Sequence, residues 1–314
     1  MTRTRTRAII YLLTPIFLLL FTVEKSAAQY YYYDNNYYDN KVTFELGASV
    51  AAMNCLTDIG GNQGIGKPFV KDLNYGNTKL GGSVYFSATY KYAVGLRLEA
   101  TFGQIGAYDS ILKNVASTTE GRYERNLSFR SNISEIALIA EFHPLFIFVD
   151  WESKDKQPPT FSPYIMGGIG LFSFNPQALL NGRWVDLQPL HTEGEGWVAG
   201  RNEYKLQQMN IPVGIGFRYE VNSLLNVRAE CLVRILNTDY LDDVSTRYIP
   251  TALFYQHLQG QQLTDALLLN NRNLNINPKY ISRPGSLRGK YYNNDSYFTF
   301  NLKLGLIMGR EKVR

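Results

Sequence analysis

A period of two runs through this chain and limits its fold more than any other feature. Eight segments alternate apolar with polar or small residues: 42–50, 80–91, 94–103, 135–142, 162–174, 209–220, 225–235 and 297–308. In 94–103, Val94, Leu96, Leu98, Ala100 and Phe102 share one face, and Gly95, Arg97, Glu99, Thr101 and Gly103 share the other. In 225–235, Leu225, Val227, Ala229, Cys231, Val233 and Ile235 oppose Asn226, Arg228, Glu230, Leu232 and Arg234. Successive side chains of an extended strand point to opposite faces, so each segment reads as a strand with one apolar face. Only 162–174, apolar or glycine on both faces, leaves its register ambiguous. A tilted strand crosses a bilayer in ~9–11 residues, and the eight segments are read as crossings.

The other face separates a membrane barrel from a soluble β-sandwich. A sandwich turns its polar face to water and tolerates charges of any sign. Here that face carries glycine, serine, threonine and a balanced set of ions. Lys91, Arg97, Arg218, Arg228, Arg234 and Lys303 stand against Glu45, Glu99, Glu135, Glu141, Glu220 and Glu230. Buried charges cost several kcal/mol each unless paired, and an eight-stranded barrel has an interior that side chains just fill. The expected fold is all-β: an eight-stranded antiparallel transmembrane outer-membrane β-barrel with a filled polar lumen, in contact with outer-membrane lipid. Connection lengths agree. With the N-terminus periplasmic, 54–78, 104–127, 175–203 and 237–295 lie outside. Tyr92-Ala93, 143–161 and Asn222-Ser223-Leu224 lie inside. Long outer loops and mostly short inner turns are the outer-membrane pattern.

The chain begins with Arg3, Arg5 and Arg7, an apolar run from Ala8 to Val23, and Ser26-Ala27-Ala28. That order predicts a cleaved signal peptide over 1–28; an uncleaved anchor is the alternative, with an apolar stretch short for a ~30 Å core. The expected organisation is then a Tyr/Asn-rich periplasmic lead at 29–40, the barrel at 41–310 and a short tail at 311–314. Arg3, Arg5, Arg7 and Lys25 against Glu24 supply three of the chain's +5 charges, so the basic balance is no signal for nucleic acid. Past the leader no run approaches the 18 apolar residues of a membrane helix. Cys55 and Cys231 fall on strands that are not neighbours, so two free thiols are expected.

Several segments stay open. Tyr30–Tyr38 reads YYYYDNNYY, a disordered lead or an aromatic tether. In 143–161, either the fourth strand continues to Phe148 or Phe146, Phe148 and Trp151 form a periplasmic docking surface. Asp239, Asp242, Asp243 and Asp295 in the last outer loop do not match calcium-loop spacing, so a solvated loop is expected. Catalysis finds little support. His143, His191 and His257 lie apart in sequence and no nucleophile motif accompanies them. GIGKP at 64–68 lacks the spacing of a phosphate loop, and the cysteines and histidines are too few for a standard zinc cluster. No enzyme activity, metal or cofactor is expected.

Four phrases occur in order at barrel positions: NCLTDIGG at 54–61, SPYIMGGIGLFSF at 162–174, NIPVGIGFRYEV at 210–221 and NTDYLDDVS at 237–245. Through them the chain resembles, over about 42–310, a family of Bacteroidetes outer-membrane barrels that includes PorG of the type IX secretion and gliding machinery. The ending GREKVR departs from the terminal aromatic of many outer-membrane proteins. The resemblance implies a non-catalytic component that ties a periplasmic ring, a lipoprotein and its partner, to the outer membrane. A stand-alone surface barrel with ligand- or cell-binding outer loops is the alternative. An outer-membrane lipid- or peptide-processing enzyme using His191 or His257 is a third.

Overall fold

The computed structural model describes residues 41–61, 73–119, 121–148, 159–273 and 282–308. The expected leader, the tyrosine-rich lead, GIGKP, Trp151 and the tail lie outside these residues.

Eight strands close a barrel: β1 (Val42–Leu56), β2 (Lys79–Tyr90), β3 (Val94–Tyr108), β4 (Ser128–Phe142), β5 (Phe161–Ser173), β8 (Gln207–Glu220), β9 (Leu225–Leu236) and β10 (Ser296–Met308). Each pairs antiparallel with the next around the wall, and β10 pairs back onto β1. A short hairpin, β6 (Pro176–Leu180) and β7 (Arg183–Asp186), extends the wall from β4 through Arg130↔Gln177. Closure leaves no wall edge unpaired, as a span without helices requires; among the described residues no helix is long and apolar enough to cross a membrane. Leu46, Leu98, Ile136, Ile165, Ile211 and Leu302 point outward and stay exposed, forming the lipid belt, while their strand neighbours are turned into the lumen. The ambiguous strand, β5, resolves with Tyr164, Met166 and Phe172 inside and Ile165, Ile169 and Leu171 outside. The protein is an outer-membrane β-barrel, with its long loops gathered at one end of the wall and its short turns at the other.

Several strands run further outward than the alternation predicts. β1 continues from Ala51 to Leu56, β3 from Gln104 to Tyr108, and β4 begins at Ser128. The reason is an inversion of polarity. In these outer segments Met53, Ile105, Phe129 and Ile133 face inward and are buried, whereas Arg130, Asn132 and Ser134 face outward. The lumen is therefore not polar throughout: a charged inner part is closed by an apolar plug at its outer end.

The outer loops form a packed cap on that plug. They contribute α1 (Arg122–Arg125), α3 (Thr251–His257) and α4 (Gly260–Asn270). Leu190, Tyr204, Leu241, Phe254 and Leu269 join the same apolar cluster as Met53 and Phe129. The loop expected to be solvated instead buries all four of its singled-out aspartates, Asp239, Asp242, Asp243 and Asp295, in this cap. At the other end β4 stops at Phe142, and α2 (Leu145–Phe148) follows Pro144. The strand does not continue to Phe148, because Pro144 has no N–H to give the ladder.

Candidate functional site

The inward faces of all eight wall strands contribute to one polar network. Arg97 on β3 lies 3.0 Å from Glu99, 2.8 Å from Glu141 on β4 and 2.6 Å from Glu230 on β9. Arg228 on β9 reaches Glu45 at 2.5 Å and Glu141 at 2.9 Å. Lys303 on β10 reaches Glu99 at 2.6 Å and Glu230 at 3.2 Å. Each cation touches at least two carboxylates, and each of these carboxylates has a second donor. The Tyr85 hydroxyl and Asn226 (2.7 Å) donate to Glu45, Ser83 (2.6 Å) to Glu99 and Tyr164 (2.5 Å) to Glu230. Toward the plug, Arg234 holds Glu135 at 3.0 Å and donates to Thr299 at 2.5 Å, with Asn210 donating to Glu135 at 2.8 Å.

Tyr85 organises the centre. Lys303 Nζ stands 4.8 Å from its ring centroid, and the guanidinium carbons of Arg97 and Arg228 each stand 5.6 Å away. A ring face attracts cations most strongly where water is excluded. The ring fits because Gly47 and Gly305 pair opposite one another on β1 and β10. A Cβ on either would lie 2.6 Å from Tyr85 atoms. The sequence names the ions but does not single out Tyr85, and Tyr164 and Tyr297, whose places near strand ends suggest an interfacial aromatic girdle, are instead buried in the lumen. For Tyr85 the signal was an aromatic on a face otherwise small and polar, among Gly81, Ser83, Ser87 and Thr89.

Eleven of the twelve charged residues singled out from the sequence lie in the lumen, Arg218 and Glu220 among them; Lys91 does not. It is exposed in the turn Lys91-Tyr92-Ala93, one residue longer than the pattern suggested, where Lys91 and Tyr92 adopt φ values of 47° and 58°. Left-handed backbone at two successive positions is what a tight hairpin turn needs. Phe146, read as a docking residue, is buried: its ring stacks on Tyr92 at 5.5 Å, with Arg218 over its face at 5.5 Å. Ile147 and Phe148 are exposed beside it. His143 is buried in the lumen mouth, 3.2 Å from Ser162 and 3.4 Å from Glu141.

The cap has its own polar core. Arg125 pairs with Asp109 at 2.9 Å and donates to the carbonyls of Asp58 (2.7 Å) and Arg288 (2.6 Å), tying three loops together. Arg288 reaches Glu193 at 3.1 Å, and Glu193 also accepts from the amides of Ser245 (3.1 Å) and Thr246 (2.6 Å). The phrases at 54–61 and 237–245 meet here, for Ile59 N donates to Asp242 at 3.0 Å, and Lys290 N donates to Asp58 at 2.6 Å. Burial pushes the Asp239 carboxyl up to about 9. Burial, then the neighbouring carboxylates, raises Asp242 and Asp295 too. Among the described residues no group of three or more His, Cys, Asp or Glu could hold a metal ion.

His191 and His257, distant in sequence, flank Trp197 with ring centroids at 4.8 and 4.6 Å. His191 Nδ1 lies 2.7 Å from the Glu195 carbonyl, and neither imidazole contacts a hydroxyl or thiol among the described residues. Cys55 aligns with Tyr297 and Cys231 with Phe300, and both thiols are free.

No protein-family model and no curated protein sequence matches the chain. Among solved structures it is similar to Neisserial surface protein A (8% identity, 85% of this chain and 99% of that one covered, TM-score 0.37). It is likewise similar to outer membrane protein OprG from Pseudomonas aeruginosa (10% identity, 85% and 95% covered, TM-score 0.38). A third similar structure is Outer Membrane Protein W of E. coli (14% identity, 86% and 100% covered, TM-score 0.35).

Proposed function

We propose that this barrel is a non-catalytic anchoring component of a periplasmic assembly, of the type IX secretion kind that its PorG-like phrases imply. The observation that carries the reading is the filled interior. Paired ions occupy the inner lumen, an apolar plug follows, and the cap covers the plug, so the surfaces at the two ends remain for function. At the periplasmic end Ile147 and Phe148 expose apolar side chains on a short helix whose neighbour Phe146 is fixed in place, a shape suited to a partner such as a ring lipoprotein. A mild-detergent pull-down from the native outer membrane, read by mass spectrometry, tests this. Ring components should co-purify with the wild type and be lost with Ile147→Ser/Phe148→Ser, while the barrel keeps its heat-modifiable gel shift. A barrel recovered alone would sink the anchoring role.

The stand-alone surface barrel remains the second reading, favoured by exposed Tyr255, Leu287, Tyr291 and Tyr292 on the cap. It predicts that replacing these four with serine removes function while the periplasmic variant keeps it.

A further inference from the structure

Charge is sorted radially in the extracellular part. Asp109, Glu193, Glu195, Asp242, Asp243 and Asp295 are buried there, with Arg125 and Arg288 beside them. Outward, Lys113, Arg183, Lys205, Arg247, Arg283 and Lys290 are exposed, against Asp186 and Glu203 among the described residues. The acids are consumed by the cap's own hydrogen bonds, so the outer surface presents cations.

Part of this surface adjoins the lipid belt. The belt's upper edge can be located on the β4–β5–β8 side from register. Ile136, Leu171 and Met209 align across the wall, all outward and exposed. The next outward rung is Ser134, Ser173 and Gln207. Hydrocarbon contact therefore ends between these two rungs. Arg130 stands on the same outward face of β4, four residues beyond Ser134, and Lys205 lies two residues before Gln207.

Arg130 is held for use. Its guanidinium carbon lies 3.7 Å from the centroid of the Trp184 ring, and its Nε donates to Gln177 at 3.1 Å. These contacts fix the plane of the fork and leave its terminal N–H groups pointing elsewhere. Gln177 links Arg130 to an outward acid, for its amide donates to Asp186 Oδ1 at 2.7 Å, where Asn175 also donates at 2.9 Å. Neither Arg130 nor Lys205 has a carboxylate within ion-pair distance among the described residues. A planar guanidinium with free donors suits the oxygens of a phosphate, and a Trp at this height is the interfacial aromatic of membrane proteins.

We propose that Arg130 and Lys205, with Trp184 beneath the fork, bind the phosphate groups of outer-leaflet glycolipid at the rim of the barrel. Continuity with the lipid belt commits the site to a membrane lipid rather than a soluble polyanion. The site is independent of the anchoring role, for it lies at the opposite end of the wall.

The test is native mass spectrometry of the folded barrel in maltoside micelles, titrated with diphosphorylated lipid A and with its dephosphorylated form. Wild type should bind the diphosphorylated lipid at least about tenfold more tightly. Arg130→Gln/Lys205→Gln should lose about thirtyfold, about 2 kcal/mol for two interfacial charges. Arg130→Lys/Lys205→Arg should retain binding, and so should Arg247→Gln/Arg283→Gln, which alters cations borne on the last outer loop. The heat-modifiable gel shift reports folding of each variant, and Lys205→Glu, outside the sheet, should lose binding by itself. Equal affinity for the two lipids would overturn the proposal. So would a loss confined to the Arg247/Arg283 variant, or inorganic tripolyphosphate binding as tightly as the lipid.

Discussion

Tyr85 fills the space that two facing glycines leave, and the ions around it are placed by that ring as much as by each other. Gly47→Ala should therefore force the ring aside and cost about 1–3 kcal/mol, the usual penalty of overpacking, read as a lower urea midpoint of the detergent-refolded barrel. An unchanged midpoint would mean that the ring moves freely. Arg97 makes the complementary case. Arg97→Met leaves Glu99, Glu141 and Glu230 short of one shared cation and should cost about 3–5 kcal/mol. Arg97→Met/Glu230→Gln removes part of the imbalance and should recover part of that loss. If the double variant is no better than the single one, Glu230 does not feel Arg97 as a partner.

Among the elements, the strands were legible wherever the two solvents differ in polarity. Between lipid and a charged lumen, alternation marks every strand but β5, whose inward Met166 and Phe172 blur it, and the partners of Arg97 and Arg228 fell on the inward face by counting in twos. Beyond Val50 and before Glu135 the contrast reverses, with water outside and apolar plug within. A reading that expects apolar residues on the lipid side stops there. The β6–β7 hairpin was missed although Asn181-Gly182, at φ 49° and 82°, is the pair such a turn favours. In 143–161 composition showed the aromatics, but it is the stacking on Tyr92 of the neighbouring turn that determines that Phe146 points inward. Pairing of lumen ions was beyond the sequence because it depends on the register of strands far apart in the chain, such as β3 and β9.

At the scale of the molecule, the cap and the barrel respond to different conditions. Asp239, raised to about 9 from an ordinary 3.8, keeps a proton in the folded cap that the opened loop releases above about pH 4. Asp242 and Asp295 are shifted in the same direction. The folded cap thus binds more protons than the open one, so its stability is fully present below about pH 4 and declines as pH rises toward about 9. Hydrogen exchange at Ile59, Leu241 and Val244, whose amides donate to Asp242 and Asp295, should show it. After correction for intrinsic rates, protection should fall by up to about tenfold per pH unit for each proton released. Protection that rises with pH would contradict the carboxyl assignment. The wall amides of β3 and β4 should stay protected throughout.

The reversal of polarity partway along the wall also governs how deep the molecule sits. Sinking by one rung would carry Ser134, Ser173 and Gln207 into hydrocarbon; rising by one would lift Ile136, Leu171 and Met209 into water. Both displacements are unfavourable, so the barrel is trapped at one height, and a bilayer of different thickness must deform around it. Thinning or thickening of the surrounding lipid then extends outward from the wall, and neighbours with the same preferred thickness are drawn toward it without touching it.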